Sequence, residues 1–472
     1  MIPVPLAHRT VLVPLIVACA LFMENLDSTV IATALPAIAQ SFNENPLRLS
    51  LAITSYLLSL AVFIPLSGWV ADHFGARRVF RNAILVFTLG SVLCGLSRTM
   101  PELVAARILQ GIGGAMMVPV GRLVLLRKIP KSDLVRAMSY LTVPALLAPI
   151  IGPPIGGFLA TYVSWRWIFF INVPIGVVGY WLVSRYIEEV RSAERPPLDF
   201  RGWLLVGSGL AGTVLGFESL GKGVLPASWD WLMLIGGGVL LGGYAIYARG
   251  RAHAIVDLSL MRVPTFNVSL TGGSVFRFGT GAFTLLMPLM LQLGFGLSPA
   301  ASGALTFAGA VGALLMKTTA RRIVQAFGFR RVLILNSLIV GAYLISCGLL
   351  RPSTPHVLIV ALLMVGGFFN SLQFTCINTM AFADLDETRM SQATSFSSTA
   401  QQLALSIGVG IASQLLHLIL MLDHRSNPGA ADFAIAFGVV GMLTCLSALL
   451  YVRLRSDAGS SVSGHVLTPA RS

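Results

Sequence analysis

Fourteen apolar stretches divide this chain, and only short polar segments separate them. They run at about 11–38, 50–72, 79–97, 101–126, 137–162, 165–186, 202–219, 230–248, 265–292, 299–318, 331–350, 355–380, 391–421 and 431–452. A helix needs about 20 apolar residues to cross the hydrocarbon core of a bilayer. The chain is therefore expected to be an all-α membrane protein with about 14 transmembrane helices. Composition agrees: 55% of the 472 residues are hydrophobic and 11% are charged, against roughly 25% charged in a soluble domain. The first stretch contains Glu24 and Asp27 and has no convincing cleavage site. It reads as a retained first helix, not a signal peptide.

The formal net charge is +14. On a soluble protein that balance would point to nucleic acid. Here the basic residues sit in short clusters between apolar runs, which is the pattern of the positive-inside rule. With fourteen alternating spans, 25 of the 33 Lys and Arg fall on the side of the termini and six on the other. Arg107 and Arg277 alone lie deep inside spans. The alternation predicts both termini in the cytoplasm, a multi-pass inner-membrane location and no nucleic-acid partner. Cys19, Cys94, Cys347, Cys376 and Cys445 stand singly in apolar segments without metal-ligand spacing, so no metal site is expected.

An internal repeat is visible. Phe74-Gly75-Ala76-Arg77-Arg78-Val79-Phe80 returns 253 residues later as Phe327-Gly328-Phe329-Arg330-Arg331-Val332-Leu333. The expected organisation is an N-terminal six-helix bundle over 1–190, then a cytoplasmic linker with two inserted transmembrane helices over 191–262. A C-terminal six-helix bundle over 263–455 and a polar, disordered cytoplasmic tail over 456–472 complete it. Repeated halves are a transporter architecture.

Five motifs follow in order. Gly68-x-x-x-Asp72-x-x-Gly75-x-Arg77-Arg78 begins in the end of the second stretch and runs into the loop after it, and Leu26-Asp27-Ser28-Thr29-Val30 through Ala34-Leu35-Pro36 lies in the first. Arg107-Ile108-Leu109-Gln110-Gly111-Ile112-Gly113-Gly114 lies in the fourth, and Gly152-Pro153-Pro154-Ile155-Gly156-Gly157 in the fifth. Trp165-Arg166-Trp167 through Asn172-Val173-Pro174 opens the sixth. Together these resemble the major facilitator superfamily, specifically its fourteen-helix drug:proton antiporter branch. The resemblance covers nearly the whole chain and implies a major facilitator fold. It implies a conformational latch at Gly68, Asp72, Gly75, Arg77 and Arg78, although the arginines could serve topology alone. The second copy has Gln325 where Asp72 would align and Arg321 where Gly68 would, so its latch reads as degraded. Gly152, Pro153, Gly156 and Gly157 would thin and bend the fifth helix, for a moving face or for static packing.

Ionisable residues inside spans are costly and are functional candidates by default. Glu24 and Asp27 are three residues apart and share a helix face. Two close carboxylates in a low-dielectric site cannot both ionise cheaply, so one can carry a proton near neutral pH. Asp27 matches the family motif and is the first choice for proton coupling, with Glu24 beside it. The resemblance gives Arg107 a modulating role there. Arg277, outside those motifs, follows Asn267, Thr271 and Ser274 at helical spacing and aligns with Glu24 through the 253-residue offset. Two roles are open to it: counter-ion to Glu24 or Asp27, or docking point for an anionic substrate. Asn370, Gln373, Thr394, Ser398 and Gln401 either line a cavity with Arg277 or join helices by hydrogen bonds.

These features predict a proton-coupled secondary antiporter exporting small molecules across the inner membrane by alternating access. It would act as a monomer in the lipid bilayer, with a small-molecule substrate and protons as partners. The proton gradient would be its energy source, with no cofactor. The alternative is export of an anionic metabolite such as a carboxylate or its metal chelate. A non-transporting membrane sensor is a third reading. No P-loop, HExxH or nucleophile elbow occurs, so neither ATP use nor enzyme activity is expected.

Overall fold

A computed structural model describes residues 6–128, 147–148, 151–189, 197–222, 226–251, 254–385, 389–425, 427–455 and 458. In a bilayer every backbone group must be satisfied within the chain, which favours helices. The described residues contain helices and no strand. Thirteen of the helices are long and apolar enough to cross a membrane. The chain is a multi-pass helical membrane protein. The fifth predicted span falls partly outside the described residues; its second half is helical over 151–162. The predicted disordered tail, apart from residue 458, also lies outside them.

In chain order the helices are α1 (Leu6–Phe42), α2 (Ser50–Phe74), α3 (Ala76–Leu96), α4 (Met100–Lys128), α5 (151–162), α6 (Trp167–Tyr186) and α7 (Phe200–Ser219). They continue as α8 (Ala227–Tyr247), α9 (Pro264–Leu289), α10 (Pro299–Ala320), α11 (Arg322–Gly348), α12 (His356–Ala381), α13 (Met390–Leu422) and α14 (Ala430–Tyr451). Prolines mark the irregular turns. Pro65 sits in a 3₁₀ turn, Ile64–Leu66, inside α2. Pro288 precedes a π turn, Met290–Gly294, at the end of α9. A proline removes a backbone donor and crowds the preceding turn, so the ladder shifts there.

The helices form two compact units. The first comprises Met1–Val256 with Ser298–Ala304, and the second Asp257–Leu297 with Leu305–Ser472. Within the first unit, glycines let backbones close. A Cβ on Gly113 would lie 2.5 Å from the Phe87 nitrogen, and one on Gly111 would lie 2.6 Å from Ser59 Cβ. So α4 is drawn against both α3 and α2. On α5, a Cβ on Gly152 or Gly156 would strike Thr29 or Val30 of α1, and one on Gly157 would strike the Pro299 carbonyl. The second unit uses the same device, since Gly281 and Gly408 bring α9 and α13 into backbone contact.

The inserted pair α7–α8 belongs to the first unit. Trp203 Nε1 donates to the Val62 carbonyl of α2 at 3.0 Å. Asp199 caps α7 through the Gly202 nitrogen at 2.9 Å and accepts from the Tyr247 hydroxyl of α8 at 2.7 Å. At the other end of α7, buried Glu218 accepts from Ser50 of α2 and from Lys222. Burial pulls the Lys222 ammonium below its ordinary range, and the Glu218 carboxylate opposes that pull.

The sequence repeat is also a conformational repeat. Gly75 joins α2 to α3 at φ 95°, ψ 130°. Gly328 breaks the helical run Pro299–Gly348 at φ 71°, ψ 158°. Both copies place glycine where an L side chain is strained. Gly75→Ala is expected to cost about 1–3 kcal/mol through that torsion. A Cβ there would also meet the Glu189 carboxylate at 2.2 Å, but a flexible side chain can withdraw. Adding Glu189→Ala should therefore restore little of the loss in thermal unfolding. Full rescue by the second substitution would show that the collision, not the torsion, sets the cost.

Candidate functional site

Five helices of the first unit, α1, α2, α3, α4 and α6, build a buried polar cluster, and the motifs explain why they meet. The glycines after Arg107 narrow α4 on the faces that carry α2 and α3, while Arg107 and Gln110 reach toward α1. Asp27 is 3% exposed and Arg107 0%. Arg107 Nη1 donates to Asp27 Oδ2 at 2.5 Å, and its Nε donates to the Ala52 carbonyl of α2 at 3.0 Å. Gln110 Nε2 and Asn172 Nδ2 donate to Asp27 Oδ1 at 2.8 and 3.0 Å. Ser91 of α3 accepts from both amides and donates to the Phe169 carbonyl. The guanidinium stands 4.2 Å over the Tyr56 ring, a cation–π contact in a desolvated place.

A fully desolvated ion pair survives only when its remaining lone pairs and protons are also bonded. Here two amides and a backbone carbonyl supply most of those bonds, while Arg107 Nη2 has no hydrogen-bond partner and the guanidinium lies over the Tyr56 ring. The arrangement can hold a carboxylate charge away from water, and can release it if a proton arrives. Asp27 takes Arg107 as its counter-ion, so the counter-ion role considered for Arg277 is filled at Asp27 from within the first unit. Glu24 is half-buried one turn before Asp27, and its charge acts on the Tyr56 hydroxyl.

In the second unit Arg277 of α9 is 2% exposed. Its Nη2 donates to Asn378 Oδ1 of α12 at 3.0 Å and to Gln401 Oε1 of α13 at 3.3 Å. Its carbon Cζ lies 5.2 Å from the Phe374 ring centroid, and its Nε is buried without a partner. Gly273 makes room for the guanidinium, since a Cβ there would lie 2.7 Å from Nη1. No ion pair among the described residues includes Arg277. Of the preceding stripe, Asn267 Nδ2 donates to the Met261 carbonyl and Thr271 donates to the Asn267 carbonyl, while Ser274 is half-buried.

The other predicted cavity residues divide. Gln401 touches Arg277. Asn370 accepts from Thr280 of α9 at 3.3 Å. Gln373 is fully buried and ties α12 to α11 through Asn336 and Ser337. That makes it a helix-joining residue. Thr394 donates to the Met390 carbonyl of its own helix, and Ser398 is half-buried. At the predicted latch Asp72 is half-buried and Gly68 exposed. Arg77 donates to the Ser184 carbonyl near the end of α6, and Arg78 is exposed.

The roles of Gln110, Asn172, Ser91 and Asn378 were missed from sequence. Gln110 and Asn172 stand inside two of the motifs as isolated polar residues in apolar spans. That isolation was the available signal.

A family model described as Major Facilitator Superfamily matches residues 17–409 and 269–467. A relative from Yersinia enterocolitica, called "Putative multidrug resistance protein MdtD", is 37% identical over 453 residues, covering 94% of this chain and 95% of its own. A protein of the same name from Salmonella typhimurium is 38% identical over 455 residues, with 94% of each chain covered. Among solved structures, a D-xylose-proton symporter superposes with a TM-score of 0.67 at 17% identity, covering 95% of this chain and 98% of that one. A POT family transporter complexed with a thioalcohol-conjugated peptide gives a TM-score of 0.69 at 17% identity, covering 94% and 95%. At such identities the two structures speak for the fold alone.

Proposed function

The chain belongs to the Major Facilitator Superfamily, and from that premise we propose that it is a proton-coupled antiporter exporting small molecules, multidrug cargo among them. The observation that carries this reading is the buried Asp27–Arg107 pair with its amide shell. Protonation of Asp27 would remove the charge that holds Arg107, while the Arg107 bonds to Gln110 and to the Ala52 carbonyl could persist. The proton would thus alter the tie between α1 and α4 and leave the one between α4 and α2. Proton and substrate are coupled when each favours a different state of such an element. Asp27 without its proton favours the substrate-loaded inward state; protonation from outside favours release. The names of the relatives support drug export as the activity. The protein acts as a monomer, draws on the proton gradient and needs no bound cofactor. The sorted basic residues support an inner-membrane location with both termini in the cytoplasm.

The deciding experiment is flux from proteoliposomes with an imposed pH gradient, over a panel of cationic drugs and small carboxylates. Acceleration of at least one compound by the gradient is expected. Folded protein that moves none of them under the gradient would overturn the antiporter reading.

Arg277 favours a second reading of the cargo. A buried guanidinium held by amides alone keeps a net charge that an anionic group can neutralise. If the cargo is a carboxylate or its metal chelate, Arg277→Gln should abolish its export and spare cationic compounds. Unaffected carboxylate export in that variant would remove the docking role.

A further inference from the structure

The two amides that hold Asp27 are not equivalent. Gln110 spends both ends: Nε2 donates to Asp27 and Ser91, and Oε1 accepts from Arg107 Nη1 at 2.8 Å and from Cys94 Sγ at 3.6 Å. A guanidinium has donors only, so Gln110 cannot reverse without setting its NH₂ against Arg107. Asn172 spends one end. Its Nδ2 donates to Asp27 Oδ1 and Ser91 Oγ, both at 3.0 Å, while its Oδ1 is buried with no partner. A buried carbonyl left unsatisfied in a native site calls for an explanation.

The chemistry of a carboxyl group supplies one. An ionised carboxylate only accepts, and a protonated one must also donate. When Asp27 takes a proton, its new O–H needs an acceptor. The titratable and charged groups around it are Arg107 from α4, Glu24 from α1 itself, Tyr56 from α2 and Cys94 from α3. From α6 comes the Asn172 amide, and described α5 faces α1 with glycines at Thr29 and Val30. Arg107 cannot accept, and Gln110 Oε1 is already engaged. The Tyr56 hydroxyl is also unpartnered but has no bond to Asp27, whereas Asn172 already touches Asp27 and its unspent Oδ1 is half a turn of the amide away.

We propose that Asn172 is a positioning residue that reads the protonation state of Asp27. It presents Nδ2 to the carboxylate and Oδ1 to the carboxylic acid. The proton comes from water and stays on Asp27; Asn172 neither gains nor loses one. Ser91 keeps the Gln110 bond in both orientations. The inference rests on Asp27 as the proton site, and it makes α6 a partner in the proton step.

The test is infrared difference spectroscopy of the full chain in proteoliposomes, low pH minus high pH, with asparagine labelled by ¹³C at Cγ. The expected result is a protonated-carboxyl band, absent in Asp27→Asn, and a labelled amide band that shifts with the same pH midpoint. Asn172→Leu should remove that amide component and move the carboxyl band to higher frequency, because the acid has lost its acceptor. Asn172→Ala serves if the leucine variant does not fold. An Asp27 band that titrates while the labelled amide stays silent overturns the proposal and leaves the proton site standing. So does a carboxyl band unmoved in both variants, which would assign the acceptor to Glu24. If no band depends on Asp27, the proton-site reading itself has failed.

Discussion

Asp27→Asn is expected to abolish the response of export to a pH gradient while the protein stays folded. The substitution keeps the shape of the side chain and removes its charge and its proton. The cluster can absorb it: the new carbonyl can accept from Arg107 Nη1, which now faces Asp27 Oδ2. The new NH₂ would face the donors of Gln110 and Asn172. Asn172 can turn to meet it, since its own Oδ1 is unspent. Gln110 cannot turn, and Arg107 keeps its buried charge among neutral partners. Stability should therefore fall toward the cost of an unpaired buried charge, about 3–5 kcal/mol, while the fold and downhill exchange of substrate survive. The imposed gradient should add nothing to the flux seen without it. The measurement is flux with and without the imposed gradient at equal protein. Retention of full gradient stimulation would move the proton site to another carboxylate, with Glu24 the first to examine.

Arg107→Leu is expected to damage both stability and transport. Removing one partner of a buried pair strands the other charge, which costs about 3–5 kcal/mol. Arg107 and Asp27 have side chains 0% and 1% exposed, so water offers no relief. The variant should unfold at clearly lower temperature in detergent. Adding Asp27→Asn should recover part of that loss, because no stranded charge remains, yet it should not recover gradient-driven flux. Arg107→Lys should fall between. A lysine keeps the charge but lacks the fork that binds Asp27 Oδ2 and the Ala52 carbonyl together. Equal stability of the single and double variants would mean that Asp27 is not held as an ion.

The spans could be read from sequence because bilayer thickness dictates their length, residue by residue. The joint at Gly75 and its repeat at Gly328 could be read as well, since glycine there answers a backbone demand. The partners of the ionisable residues could not. Asp27 and Arg107 lie 80 residues apart, and both Arg107 and Arg277 were intramembrane arginines without a topological reason. Which of them met Asp27 depended on which helices pack, and that is decided by small residues such as Gly111 and Gly113. Gln373 shows the same limit. Its chemistry suits a cavity or a joint equally, and only the positions of Asn336 and Ser337 decide for the joint.

The α7–α8 pair adds two spans, an even number, to the chain. It is anchored to α2 through Trp203 and Glu218 and lies wholly within the first unit. Two crossings return the chain to the face from which it left. Everything after Val256 therefore enters the membrane with the orientation it would have had without the pair. A single added helix would have reversed the alternation by which the basic residues that follow, Arg321, Arg322, Arg330 and Arg331 among them, satisfy the positive-inside rule. An even-numbered addition is the kind a duplicated transporter can accept without rewriting its other half.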